Sequence, residues 1–209
     1  MHKIRYYCTC AFTGIILISC AGTGEFTGSR AIKSLDKYES PLLRDIAQML
    51  YPGFREMEEA LDQQFPDRDV RFRKEGLEIL EMSSGTPGIE QGYYAGLAIT
   101  TPATFAVPYD FLEEAQRIGA TYFPPILKLM SLDWNTVFSS SLDGIVLDIV
   151  WENDTTNRLR VIFDNQNIEA YLNARMTLQE LVDKSWVEAW HGEESLGRIE
   201  LNNLRPQSA

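Results

Sequence analysis

The sequence predicts an α+β fold, a mainly antiparallel β-sheet of about five to eight strands built from hairpins with several short helices packed on it. Three observations predict it. Residues 145–152 and 158–163 are apolar, β-branched runs separated by Asn153-Asp154-Thr155-Thr156-Asn157, the pattern of a hairpin. Helix-start signals recur at Ser40-Pro41, Asp110 to Glu113 and Thr177 to Glu180. A chain of 209 residues that is 44% hydrophobic and 23% charged is sized for one ordinary domain whose core needs neither metal nor disulfide to fold.

Ser40-Pro41 supplies an N-cap and a proline at the first helical position, after which Leu42, Leu43, Ile46, Met49 and Leu50 share one face. Pro52 should interrupt this helix, because it has no amide to donate. A second helix is expected from Gly53 to Gln64 with Phe54, Met57, Leu61 and Phe65 as its stripe. Beyond Pro66 the period shortens: Val70 and Phe72 alternate with Arg71 and Arg73, Glu75-Gly76 suggests a turn, and Leu77 to Met82 forms the return strand of a hairpin. Ser83 to Gly92 is a loop by composition and lacks the Gly-Lys-Ser/Thr of a phosphate-binding loop. Tyr93 to Thr100 is a strand whose Gly96 and Ala98 would let another backbone or a helix come close. Thr104 to Val107 reads as a further short strand.

Asp110 to Glu113 fits a capping box for a helix from Phe111 to Ile118, and Pro124-Pro125 should start another through Ile126, Leu127, Leu129 and Met130. In the 145–163 hairpin, a loop over 153–157 places Glu152 opposite Arg158. Leu147 then meets Phe163, Ile149 meets Val161 and Trp151 meets Leu159 on a core face. Asp148 falls diagonally from Arg160 on the other face and is expected to pair with it, a contact worth about 0.2–1 kcal/mol. Two short helices follow, one over Gln166 to Arg175 and one starting at Thr177, then strands over Trp186 to His191 and Leu196 to Leu201. The tail from Asn202 should fray.

Thirty acidic residues against nineteen basic ones give a net charge of −11, which argues against a general grip on nucleic-acid phosphates. Met1 to Arg5 is a short basic region, and Ala11 to Ile18 is an apolar run broken by Thr13 and Gly14. Even with Tyr6 to Thr9 added, this run falls short of the roughly 20 residues a helix needs to cross a bilayer and reads as a secretory signal.

The run ends in Leu17-Ile18-Ser19-Cys20, which resembles the lipobox of bacterial lipoproteins. The resemblance covers residues 1–20 alone. It implies cleavage before Cys20, a diacylglyceryl thioether on the Cys20 sulfur and acylation, for example by palmitate, of the new amino terminus. Residues 1–19 would then be the signal peptide, 20–30 a lipidated flexible tether and 31–209 a single globular domain. Two or three acyl chains hold firmly where one holds marginally. The Gly/Thr/Ser-rich tether allows excursions of about 15–20 Å. Ala21, rather than Asp, at the second mature position implies the outer membrane over the inner under the enterobacterial form of the sorting rule.

Loss of residues 1–19 removes Cys8, Cys10 and His2, and lipid blocks Cys20. His191 then remains as the one histidine, which excludes a single-chain site with two imidazoles. No G-x-S-x-G elbow is present, and no Ser-Lys nucleophile pair, metal or cofactor is expected.

The densest group of chemistry-bearing residues is at the C-terminal end, where Trp186, Glu188 and Trp190 alternate to one side of a strand and His191, Glu193 and Glu194 stand just beyond. Two indoles around a carboxylate suit a sugar ring or a cation; the plainer alternative makes both tryptophans core and leaves His191 in an exposed turn. Glu188, or Asp133 beside Trp134, would be the acids of a carboxylate-dependent hydrolase of cell-wall or other saccharide. The leading expectation is a noncatalytic, membrane-anchored envelope domain that binds a protein or glycan partner in assembly, secretion or maintenance. The saccharide hydrolase is the alternative.

Overall fold

The computed structural model describes residues 30–66, 70–83, 91–103, 110–130 and 141–204. The signal peptide with Cys20, most of the tether, the strand expected at Thr104 to Val107, and Asp133 with Trp134 lie outside the described residues.

The order of elements is a 3₁₀ turn (Leu35–Lys37), α1 (Pro41–Gln64), β1 (Arg71–Met82), β2 (Gly92–Pro102), α2 (Phe111–Met130), β3 (Gly144–Glu152), β4 (Thr156–Asp164), α3 (Asn165–Leu172), α4 (Leu178–Asp183), β5 (Trp186–His191) and β6 (Glu194–Arg198). Among the described residues six strands form one sheet in the order β1-β2-β3-β4-β5-β6, so each described strand neighbours the next in sequence. All pairs are antiparallel except β2 and β3, which run parallel. A parallel pair needs a crossover long enough to return the chain to its starting end, and α2 lies in that crossover. The fold is thus α+β, a mainly antiparallel sheet with helices.

Two expected breaks are absent. Pro52 lies inside α1, which is continuous from the Ser40 cap, whose hydroxyl accepts from the Leu43 amide, to Gln64. An internal proline costs about 3 kcal/mol. Burial of Leu50, Tyr51, Phe54, Met57 and Leu61 on both sides of it outweighs that, at about 1.5–3 kcal/mol per large apolar side chain. Pro52 and Gln48 are both exposed, so water can reach the carbonyl that loses its amide partner. The buried stripe also turns away from the expected one: Ile46 and Leu50 are inside, whereas Leu42 and Met49 are about half exposed. Pro124 and Pro125 likewise lie inside α2, where Tyr122, Phe123, Ile126 and Leu127 are buried around them.

Glu75-Gly76 is a bulge rather than a hairpin turn. β1 advances from Phe72 to Leu77 while β2 moves only from Ile99 to Leu97, and Glu75 takes a positive φ of 57°. A Cβ on Gly76 would stand 2.5 Å from the Ala98 carbonyl oxygen, so glycine lets the bulged strand close onto β2. Gly96 is covered by the side chains of Glu78 and Leu80 from β1, rather than by another backbone or a helix.

The hairpin of β3 and β4 is shorter at its turn than expected. Glu152 pairs with Thr156, which shifts the register by two: Leu147 opposes Val161, Ile149 opposes Leu159 and Trp151 opposes Asn157. A slip of two preserves side-chain parity, so all six residues expected on the core face are buried there. The Thr177 capping box forms in full, the hydroxyl accepting from the Glu180 amide and the Glu180 carboxylate from the Thr177 amide. The Thr177 amide first, and then the Thr177 hydroxyl, which donates to the same carboxylate oxygen, hold the Glu180 carboxyl below its ordinary range.

The main core fills one side of the sheet. It joins Leu77, Ile79, Leu97, Ile99, Leu147, Ile149, Val161, Phe163 and Val187 of the strands to buried residues of α1, α2, α3 and α4.

The two sheet edges differ. Residues 30–33 run along β1 through backbone bonds from Glu75 to Arg30, Leu77 to Ala31 and Lys33 to Leu77, which moves Arg30 from the expected tether into the folded body. The Tyr38 hydroxyl then accepts from the Ile79 amide at 2.9 Å. Burial pushes that phenol up to about 12, although the Ile79 bond opposes the shift. At the other edge β6 is exposed throughout, with its register broken beside Ala189 and Trp190 and Gly197 at φ +67°. Beyond it the chain is anchored rather than frayed: Gln179 donates to the Leu201 carbonyl and accepts from the Leu204 amide, and both leucines are buried. No described helix is long and apolar enough to cross a membrane.

Candidate functional site

The second side of the sheet carries its own smaller cluster of Tyr94, Val146 and Ile162, flanked by Leu80, Met82 and Trp186, with no contribution from a described helix. Tyr94 and Val146 are each 2% exposed. Long side chains of the sheet roof this face, their apolar stems and rings lying down while their polar ends reach water.

Side-chain alternation puts Trp186, Glu188 and Trp190 on this face, as expected, beside charges from β3, β4 and β6. The register aligns Asp148, Arg160, Glu188 and Arg198 in one row across four strands, an alternation of negative and positive groups. Arg158 and Trp190 face each other in the next row. Asp148 is gripped twice: its Oδ1 accepts from Arg158 Nε at 3.0 Å and Arg160 Nε at 3.1 Å, and its Oδ2 from the two Nη2 atoms at 2.6 and 2.9 Å. The expected Asp148–Arg160 pair is therefore directly cross-strand, and Arg158 supplies the diagonal partner. Burial alone would push the Asp148 carboxyl up; the hydrogen bonds and charges of the two arginines overcome this and hold it below the usual carboxylate range. It is ionised at neutral pH, the opposite of what a general acid needs.

The indoles are engaged by cations of the chain itself. Arg158 lies 4.8 Å and Arg160 5.8 Å from the Trp190 ring, and Arg198 lies 4.7 Å from Trp186. Trp186 Nε1 donates to Glu188 Oε1 at 2.7 Å. The tryptophans are thus half-buried members of an arginine–indole ladder, neither fully core nor open platforms.

His191 is separated from this group. It projects to the helix side, where Nδ1 meets Asn157 Oδ1 at 2.7 Å and the ring meets the edge of Phe111 at 5.9 Å. Asn157 Nδ2 donates to the Thr155 carbonyl, which fixes the amide orientation and makes His191 Nδ1 the donor. Phe111 also stacks on Trp151 at 5.7 Å. Nearby on α2, Glu114 is fully buried and accepts from Asn153 Nδ2 at 2.7 Å; sequence reading missed this acid because Glu113 and Glu114 look alike at a helix start.

A cleft of about 260 Å³ between α4, β5 and residues 198–202 has Val182, Val187 and Leu201 among its walls and Asp183, Arg198 and Glu200 beside them. Ser34-Leu35-Asp36-Lys37 has the spacing of a Ser-Lys pair, contrary to expectation, but Ser34 bonds Asp36 and Lys37 pairs with Glu75. Among the described residues no group of three His, Cys, Asp or Glu could hold a metal ion.

No protein-family model matches the chain, no curated protein matches it, and no solved structure matches its fold. The site defines only a class: an α+β domain in which one sheet face, covered by no described helix, bears a charged aromatic ladder.

Proposed function

We propose that the chain is a lipid-tethered envelope domain that binds a protein or glycan partner without catalysing a reaction on it. Leu17-Ile18-Ser19-Cys20 at the end of a basic-then-apolar N-terminus carries the reading, because cleavage there leaves Cys20 as the anchored first residue. The arginine–indole face supports the binding part of the proposal, since its aromatic and guanidinium groups are held in place before any partner arrives. Cys20 fixes the protein to the membrane, the outer one under the sorting rule, and the short tether keeps the domain beside it. The test is the mass of the mature N-terminus in wild type and Cys20→Ser. The proposal expects an acylated Cys20 in wild type and, in the variant, an unacylated chain that still carries residues 1–19. Unchanged processing of the variant would overturn it.

A further inference from the structure

We infer that the face formed by Arg158, Arg160, Arg198, Trp186 and Trp190 is a binding site for an anionic saccharide, one bearing carboxylate or phosphate groups; this rests on the proposed partner-binding function and narrows its ligand. Three guanidiniums stand beside the carboxylates of Asp148 and Glu188, and the one further acid that acts on Arg160, Glu78, is itself paired with Lys33 at 2.7 Å. Asp148 is saturated by four donors from Arg158 and Arg160, yet those arginines keep 32% and 29% of their side chains exposed, with Nη1 of each outside the Asp148 contacts. Arg198 is exposed and stacked on Trp186; its cross-strand neighbour is Glu188, but among the described residues it makes no ion pair within 4 Å.

A guanidinium oriented by an indole presents its planar donor edge ready for a carboxylate or phosphate, at little further entropic cost. Trp186 and Trp190 are four residues apart on one strand, about 13 Å, so the charges they orient are spread along an extended ligand. An extended peptide would gain most by pairing with a sheet edge. Residues 30–33 and the Tyr38 hydroxyl occupy part of the β1 edge, and the β6 edge is bulged at Gly197, a device that blunts strand addition. The face remains, and a ribbon-like saccharide with anionic groups fits a broad, aromatic, guanidinium-bearing surface. The neighbouring cleft is a poorer seat for an anion because Asp183 and Glu200 line it with Arg198 as their one cation.

The test is a tryptophan-fluorescence titration of the full chain in detergent with polygalacturonate and, separately, a phosphorylated mannan, to identify which anion is preferred. Fully methyl-esterified polygalacturonate is the neutral control and poly-glutamate the peptide control. Saturable, salt-sensitive binding of at least one anionic saccharide is expected. Arg198→Gln should weaken it on the order of ten-fold, with the unfolding midpoint nearly unchanged because Arg198 is exposed. Equal binding of the esterified polymer, tighter binding of poly-glutamate, an Arg198→Gln affinity equal to wild type, or no binding to either anionic saccharide would each overturn the inference. The mass test of Cys20 is independent of these titrations, so failure of the saccharide site and failure of the lipid anchor are distinguishable.

Discussion

On the helix-packed side of the sheet, Leu147, Ile149 and Phe163 are withdrawn from water by residues of other elements; on the opposite side, Val146 and Ile162 are covered by Tyr94, Leu80, Met82 and Trp186 of the sheet itself. Both sets are buried to a similar degree. Their protection differs in kind. The first relies on close packing between elements and is indifferent to pH, whereas the second relies on side chains held down partly by charge.

The largest expected effect tests the packed side. Phe163 is fully buried and meets Phe123 edge-on at 5.8 Å, so Phe163→Ala should cost about 3–5 kcal/mol. Ile162→Ala, under the roof on the other face, should cost about 2 kcal/mol, the low end for such a truncation, because half-buried side chains rather than a packed helix cover it and water can reach the space. Urea unfolding of both variants checks this. Equal losses would mean that the roof packs as rigidly as the helices do.

The next effect is specific to the roof. Asp148→Ala leaves Arg158 and Arg160 facing one another without their shared anion. The expected loss is about 2–3 kcal/mol, below the 3–5 kcal/mol of a fully buried pair because each guanidinium is partly solvated. Asp148 has a folded pKa below its unfolded value of about 3.9. Its stabilisation is therefore complete above that unfolded value and is lost as pH falls through the folded one. Wild type should lose stability below about pH 4 more steeply than Asp148→Ala, as read from urea midpoints across pH 2–6. Parallel pH curves would show that Asp148 contributes nothing through its charge.

Legibility in the sequence follows the range of the interaction. The Thr177 capping box, the Ser40 cap and the alternation of Leu147, Ile149 and Trp151 depend on neighbours a few residues away, and all form as read. Pro52 and Pro124 depart from the pattern because local backbone chemistry disfavours a helix there, while the burial that overrides it involves side chains from distant segments. The two-residue slip of β3 against β4 has the same origin: parity is written in the pattern, but turn length is not. At the candidate site, Trp186, Glu188 and Trp190 were placed together by strand period alone. Arg158 and Arg198 joined them only through the register of three strands, and His191 left them because a single step along a strand reverses the face.

A smaller effect concerns the β1 edge. Tyr38→Phe removes the acceptor of the buried Ile79 amide, with an expected loss of about 1–2 kcal/mol and faster hydrogen exchange at Ile79 than at Leu77, whose amide is bonded to Ala31. Uniform exchange along the edge would show that residues 30–33 protect it without help from the phenol.

The smallest effect is expected where the sequence suggested core and the structure places solvent. Met49 is 48% exposed and Leu42 51%, on the outer side of α1. Met49→Gln exchanges one good helix former for another and gives up no buried contact of the kind that makes Leu50 costly to truncate. It should shift stability by less than about 0.5 kcal/mol, the range of ordinary surface substitutions, while Leu50→Ala on the same turn should cost about 2–5 kcal/mol. Thermal or urea unfolding of the two side by side reads the rotation of the helix directly. A large loss for Met49→Gln would mean that its thioether is covered in the folded protein, and would return the buried stripe of α1 to the face that apolar spacing alone selects.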